Sequence, residues 1–350
     1  MTVREFLEWL SLAPGVSGFE GPVAARIEGA WAGLAGEVRR DRLGNVIALK
    51  RGDRPGSPKL MLAAHMDEIG LMVTRVEPDG FLRFAGVPEV DLRTLPGKEV
   101  VVHGRRDLRG VVGHPPPHIL SPEDTKKLPK LEDLFIDVGL AAVRARELVA
   151  VGDPITFRAE VRELKGGLVA GKGFDDRAGV AVLHQCLEEL AGLHHAVDVY
   201  AVATVQEEVG LRGAVVGTYG IQPDLAIAVD VHLGDTPGVP EHKSFTLDKG
   251  PVITMGANIH PVLHRDLVAV ARDLNIPFQL EAAPAGTGTD AVAMQVSRSG
   301  IPTALVSIPC RYMHSPVETV ALADVARAGR LLAHFAARRT PGYLEELAWS

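Results

Sequence analysis

Acidic and imidazole side chains follow several apolar runs of this chain, at the positions where the runs end. They are His65 and Asp67, Glu207 and Glu208, Asp230 and His232, and His314, together with Asp175 and Asp176 at the start of a helical pattern. In open α/β sheets, ligands bind outside the carboxyl ends of the strands. If the apolar runs are strands of one sheet, these side chains gather at one of its edges.

The adjacent carboxylates Glu207 and Glu208 pose an electrostatic problem, because two like charges at the end of a buried strand repel each other and resist desolvation. The strand-end residues selected here include no lysine or arginine that could pair with them. A dinuclear metal centre would remove the conflict, and imidazole and carboxylate ligands suit Zn, Co or Mn. A turn at the strand end can point both glutamates into one cavity. One could then bind a metal while the other takes a proton from a water molecule that the metal acidifies.

Each of these residues, taken alone, has a structural alternative. Asp175 and Asp176 could be a helix N-cap and a favourable charge at the helix N-terminus. Asp67 could cap a turn, and the glutamate pair could belong to a solvated loop. What favours metal binding is the occurrence of a carboxylate or imidazole at the same end of four separate strands.

The elements that would position these residues form an alternating pattern. Short apolar runs predict strands at 45–50, 59–65, 198–206, 225–231 and 302–309. Helical patterns lie between or beside them at 21–36, 175–192, 260–275 and 289–300. Strands that alternate with helices of this length predict an α/β fold, with a mostly parallel sheet covered by helices. We assign residues 1–69 and 168–350 to this catalytic domain.

Residues 70–167 differ, because alternating strands with Gly and Asp turns predominate and no long helical pattern is present. This pattern predicts a small all-β domain inserted into the α/β domain. We expect exposed strand edges and exposed apolar side chains such as Phe81, Leu82 and Phe84, which a second copy of the chain would cover. The proline-rich stretch 113–129 is expected to be an exposed loop.

Composition restricts the classes of partner. The 350 residues are 46% hydrophobic and 23% charged, with a net charge of -7. This charge and the absence of a Lys/Arg run argue against a nucleic-acid partner. No stretch approaches about 20 unbroken apolar residues, so no membrane span is expected. The charged N-terminus does not resemble a signal peptide, and a cytoplasmic location is expected from the lack of targeting signals.

Five motifs occur in an order and spacing that resemble a known family. They are AHMDEIGLMV (64–73), GKGFDDRAGV (171–180), VQEEVGLRGA (205–214), AVDV (228–231) and PCRYMHSPVE (309–318). Together they resemble the cytosolic dizinc aminopeptidases of metallopeptidase family 42, the tetrahedral or deblocking aminopeptidases. The resemblance covers roughly residues 3 to 340 and implies a zinc-exopeptidase type of fold.

The resemblance also implies a role for each motif residue. His65 and Asp230 would bind the two different metals, in combination with Glu208 and His314, and Asp175 would bridge the metals. Asp67 would orient His65 through its second ring nitrogen, and Glu207 would be the general base. The peptide bond after Asp175 would be cis.

At the level of the whole protein, the resemblance implies an aminopeptidase that takes peptides with a free N-terminus. Dimers would form through the inserted domain, and six dimers would make a dodecamer. Two divalent ions, Zn or Co with Mn as a third choice, would serve each chain.

Other functions remain open at this stage. A dimetal carboxypeptidase or amide deacylase could use the same ligands on the same scaffold. An endoglucanase would need two carboxylates without metal, which leaves His65 and His314 unexplained. A non-enzymatic scaffold would not need the glutamate pair. The sequence does not reveal the preferred N-terminal residue or the physiological metal.

Overall fold

The structure is a computed structural model that describes residues 1–88, 90–119 and 127–348. Its strands are β1 (Glu37–Arg40), β2 (Val46–Lys50), β3 (Lys59–His65), β4 (Gly70–Val76), β5 (Leu82–Val87), β6 (Glu99–His103), β7 (Asp107–Gly113), β8 (Phe135–Asp137), β9 (Pro154–Phe157), β10 (Arg162–Glu163), β11 (Leu168–Gly171), β12 (Asp198–Thr204), β13 (Leu225–Leu233), β14 (Val252–Gly256), β15 (Gln279–Ala283), β16 (Thr303–Arg311) and β17 (Glu318–Ala321). Its helices are α1 (Val3–Ser11), α2 (Gly21–Trp31), α3 (Ala142–Leu148), α4 (Phe174–Leu190), α5 (Arg212–Ile221), α6 (Pro261–Asp273), α7 (Asp290–Gln295), α8 (Leu322–Ala337) and α9 (Tyr343–Glu346).

One mixed sheet forms the centre of the α/β part. Its strands follow the order β1-β2-β12-β3-β13-β16-β17-β11-β10, and β14 and β15 join beside β16. The four central strands β12, β3, β13 and β16 run parallel to one another. Their carboxyl ends therefore lie along one edge.

The strands at the two flanks of the sheet pair antiparallel, so the expectation of a mostly parallel sheet is wrong. β1 pairs antiparallel with β2, and β16 pairs antiparallel with β17. Each pair is joined by only a few residues, and a parallel pair would need a crossover of a dozen or more. The mixed sheet thus combines a parallel centre with antiparallel edges.

Strand β3 shows why the central strands read as continuous apolar runs. Leu60, Leu62 and Ala64 lie in one hydrophobic core, whereas Met61 and Ala63 lie in another. Successive side chains of a strand point to opposite faces, so both faces of this strand are buried. Helix α4 packs on the first face of β3, and α5 and α7 pack on the second. The run ends at His65, where the covered part of the sheet gives way to a cavity.

The chain leaves this sheet after β3 and builds a closed barrel before it returns. The six barrel strands follow the order β4-β5-β8-β7-β6-β9, and every neighbouring pair is antiparallel. The barrel occupies residues 70–157, whereas β10 at 162–163 already pairs in the large sheet. Helix α3 also lies in this segment, so the inserted segment is not purely β.

Barrel closure overturns one expectation about the inserted segment. The six strands are paired on both sides, so they present no open edge. Leu82 and Phe84 lie inside the barrel, and Phe81 packs half-buried against the ring of Phe135. The apolar surface of the segment instead includes Val143 and Val151, about 70% exposed.

Two further expectations concern the periphery of the molecule. The proline-rich stretch 113–129 falls partly outside the described residues, because 120–126 are not described. Among the helices that the structure describes, none has the length and apolar character needed to cross a membrane.

Candidate metal centre

A cavity of about 480 Å³ opens at the carboxyl ends of the central strands. Six of the seven residues to which the resemblance gives a role line it: His65, Asp175, Glu207, Glu208, Asp230 and His314. Asp67 lies behind this wall and is fully buried. The strand ends therefore bring together side chains that lie far apart in the sequence.

The donor atoms form two groups that share Asp175. His65, Asp175 and Asp230 make one group, and Asp175, Glu208 and His314 make the other. Oδ1 of Asp175 lies 3.0 Å from Nε2 of His65, and its Oδ2 lies 3.3 Å from Nε2 of His314. The two oxygens of one carboxylate thus face two different imidazoles, which is the geometry that a ligand bridging two cations requires.

This grouping differs from the expected assignment of His65 and Asp230 to different metals. His65 ends β3 and Asp230 lies on the neighbouring strand β13, which pairs with β3 in parallel. Nε2 of His65 is 4.0 Å from Oδ1 of Asp230. Glu208 and His314 come from the turns beyond two other strands and meet each other at 3.6 Å. Neighbouring strands therefore place His65 and Asp230 in one donor group.

The start of α4 presents Asp175 to the cavity. Gly173 adopts a left-handed conformation, and Asp175 and Asp176 have non-helical backbone angles. The peptide bond between the two aspartates is cis, as expected from the resemblance. The backbone N–H of Asp175 donates to Oε2 of Glu318 at 3.0 Å, which fixes this turn against β17.

Asp67 holds the glutamate pair and His65 together. Its carboxylate accepts hydrogen bonds from the backbone N–H of Glu207 at 3.1 Å and of Glu208 at 3.3 Å, and from the hydroxyl of Ser17 at 2.6 Å. Nδ1 of His65 lies 3.2 Å from the carbonyl oxygen of Asp67 and 3.5 Å from its Oδ1. One buried residue therefore fixes the positions of two neighbouring strand ends.

The glutamate pair enters the cavity through a tight turn. Gln206 has a positive φ of 54°, which ends the alternation of β12. Glu207 and Glu208 then both line the cavity instead of pointing to opposite faces. The turn therefore points both glutamates into one cavity, as the sequence predicts.

The electrostatics of the cavity fit a divalent cation. Burial raises the pKa of Glu207 to about 9, of Asp230 to about 8 and of Glu208 to about 7, and neighbouring carboxylates add to the effect. Burial alone would also raise the pKa of Asp175, but hydrogen bonds with His314 and His65 hold it below its usual range. In the described part of the chain, the ion-pair partners of these four carboxylates are histidines only. A cation would relieve this repulsion, and the imidazole and carboxylate donors suit a divalent transition metal.

Sequence reasoning missed two polar residues that support the site. Glu318, although present in a quoted motif, received no role, and Ser17 was not considered. Glu318 is 2% exposed within the apolar run VETVAL, and a carboxylate in such a run is a signal for a structural or functional partner. Ser17 carries no comparable signal in the sequence.

A buried ion cluster behind the site ties it to the N-terminal segment. Nζ of Lys172 contacts both carboxylate oxygens of Glu68, at 2.7 and 2.6 Å. Arg177 donates to the carbonyl oxygens of Leu10 and Ala13, and its Nη2 lies 3.1 Å from Oε1 of Glu68 without a well-aligned hydrogen bond. The cluster links α1 to the segments that carry Asp67 and Asp175.

A mixed α/β sheet that presents imidazoles and carboxylates at the ends of its parallel strands is an arrangement typical of metal-dependent hydrolases. The profile of the M42 glutamyl aminopeptidase family matches residues 44–331. The chain therefore belongs to family M42, a family of metallopeptidases, and is a hydrolase that acts on peptides.

Individual relatives agree over almost the whole chain. A lysyl aminopeptidase from Pyrococcus furiosus is 38% identical over 92% of this chain and 93% of its own length. The structure of an aminopeptidase from Desulfurococcus kamchatkensis superposes with a TM-score of 0.93 at 40% identity, over 99% of this chain and 98% of that one. The TET1 peptidase from Pyrococcus horikoshii, which can assemble into a tetrahedron or a large octahedral shell, has a TM-score of 0.85 at 33% identity, over 97% of this chain and 100% of that one.

Proposed function

We propose that this chain is a dinuclear-metal aminopeptidase that removes N-terminal residues from peptides with a free N-terminus. Zn or Co, with Mn as a third choice, would be held by His65, Asp175, Glu208, Asp230 and His314. The observation that carries the proposal is the sharing of Asp175 between two donor groups. Five protein donors with one shared carboxylate leave coordination positions for water and substrate.

Bound at this site, the two ions would polarise the carbonyl group next to the N-terminus and acidify a water molecule. Glu207 belongs to neither donor group but lines the same cavity, with Oε2 4.0 Å from Nε2 of His65. Its carboxylate would accept the proton of the attacking water and then pass it to the leaving amine. Asp67 would keep Glu207 in place through the backbone and would orient His65.

A dimetal carboxypeptidase or amide deacylase is the main alternative, because both would use the same donors. An aminoacyl p-nitroanilide and an N-acyl amino acid distinguish these reactions, since only an aminopeptidase requires the free amine. An endoglucanase would leave the two imidazoles that face Asp175 without a task, because glycosidases act through two carboxylates alone.

The first prediction concerns metal dependence. Elemental analysis of the purified protein is expected to give about two divalent ions per chain. A chelator should abolish cleavage of aminoacyl p-nitroanilides because the carboxylate cluster cannot polarise the substrate alone. Adding Zn, Co or Mn separately to the metal-free protein should restore it and rank the metals. Full activity in protein shown to be free of metal would refute the proposal.

The second prediction concerns assembly. The relatives that form TET particles make large oligomers, and a related TET1 structure is a dodecamer. We expect dimers that join through the barrel segment 70–157 and assemble to twelve chains. Light scattering should report the mass of twelve chains, and Val143→Asp and Val151→Asp should reveal whether these exposed side chains lie in an interface. A monomer at micromolar concentration with metal present would contradict this expectation.

The cytoplasmic location inferred from the sequence stays a prediction.

A further inference from the structure

The cavity has a second part that the metal chemistry does not use. Besides the donors, Glu207 and His232, it is lined by the apolar residues Leu211, Val231, Leu233 and Met313 and by the loop 287–289, which carries two threonines. A residue cleaved at the metal site is joined directly to the reacting carbonyl. Its side chain must therefore lie within this same cavity, against these walls.

The imidazole of His232 lines this second part and contacts the carboxylate of Glu281. It lies two residues beyond Asp230 on β13, so both side chains point to the same face of the sheet. Nε2 of His232 donates to Oε1 of Glu281 at 2.9 Å. The His232 ring also meets the ring of Phe245 edge to face, at 4.7 Å between centroids. The imidazole is thus held between the cavity and Glu281.

Glu281 has both carboxylate oxygens engaged. Oε1 accepts from His232, and Oε2 accepts from the hydroxyl of Thr254 at 2.7 Å. Glu281 does not line the cavity itself. Among the described lining residues, the carboxylates are those of the metal donors and Glu207, and none is a lysine or arginine.

We infer that the cavity selects N-terminal residues with neutral apolar side chains, such as leucine and methionine, and that His232 enforces this choice by shielding Glu281. The inference rests on the proposed aminopeptidase function and names its substrate class. A lysine side chain would bring an ammonium group against Leu233 and Met313 without a free carboxylate. A glutamate side chain would find no lysine or arginine among the described residues of the second part of the cavity, and the imidazole of His232 is already paired with Glu281. Burying a charge without a partner is costly, so both should be rejected.

The test compares aminoacyl p-nitroanilides of leucine, methionine, lysine and glutamate on the metal-loaded protein. The kcat/KM for leucine and methionine should exceed that for lysine and glutamate by at least about tenfold. His232→Ala should open the wall to Glu281 and raise the lysine-to-leucine ratio by about tenfold or more. The double variant His232→Ala/Glu281→Gln is the matched control and should lose this gain, since it keeps the space and removes the charge.

A second variant covers the case in which His232→Ala does not fold. Leu233 is 40% exposed, so Leu233→Glu places a carboxylate in the wall at little risk to the core, and it should also raise the lysine-to-leucine ratio. Calorimetric titration with free leucine and free lysine measures binding apart from turnover. The dissociation constant of leucine should be lower than that of lysine. A wild-type preference for lysine or glutamate, or an unchanged ratio in folded variants, would overturn the inference. Failure to cleave any of the four substrates with metal bound would instead count against the proposed function.

Discussion

Replacement of Glu207 by glutamine is expected to lower kcat by roughly 10²–10⁴, the usual contribution of general acid–base catalysis. Glutamine keeps the shape of the side chain but cannot take the proton of the attacking water. Glu207 stands outside both donor groups, so the variant should retain about two metal ions and near-native stability. Single-turnover rates and elemental analysis of the same preparation measure the two effects separately.

Glu208→Gln is the matched control for this experiment. Both side chains are adjacent, and both backbone N–H groups still reach the carboxylate of Asp67 in either variant. A general folding defect would therefore affect the two variants alike. Glu208→Gln should weaken one metal site, and its activity should recover in part when the metal concentration is raised. Loss of metal from Glu207→Gln alone would show that the two roles are reversed, and two active variants would refute the mechanism.

Replacement of Asp175 by asparagine is expected to release both ions and to abolish activity. Asp175 is shared by the two donor groups, and each of its oxygens faces a different imidazole. An asparagine side chain has one amide nitrogen in place of an oxygen, so it cannot offer an anionic donor to two cations at once. The metal content should fall from about two ions to near zero.

Asp230→Asn provides the comparison for Asp175→Asn, since Asp230 belongs to one donor group only. This variant should keep about one ion per chain. Circular dichroism of both variants checks that the fold persists. Equal metal content in the two variants would mean that Asp175 does not bridge the ions, and two ions in Asp175→Asn would exclude it as a ligand.

The parts of the site that could be predicted from the sequence are those encoded by local patterns. The run KLMLAAH predicted a strand at 59–65, and β3 has these bounds. His65, Glu207 and Asp230 could be selected because parallel strands place their carboxyl ends at one edge. The meeting of these residues in one cavity follows from that rule, without knowledge of the intervening loops.

The parts that could not be predicted depend on pairing between distant segments. Whether β16 and β17 pair antiparallel, and whether six strands close into a barrel, is decided by partners that a local window does not contain. Leu82 and Phe84 read as surface residues of an open lobe, and only closure turns them inward. The contact of Glu318 with the backbone of Asp175 spans 143 positions, and no short motif encodes it.

The wide separation of the donor residues has a consequence for how the protein responds to heat. His65 and Asp175 are 110 positions apart, with the entire barrel between them, and no two of the five donors share a helical turn. An unfolded chain therefore does not bring the five donors together, and an ion that binds them as a set favours the folded state. By mass action, each such site would add up to about 2.7 kcal/mol of stability when the free ion stands at 100 times its dissociation constant. The temperature at which this chain unfolds would thus be set by the supply of metal as well as by the packing of its cores.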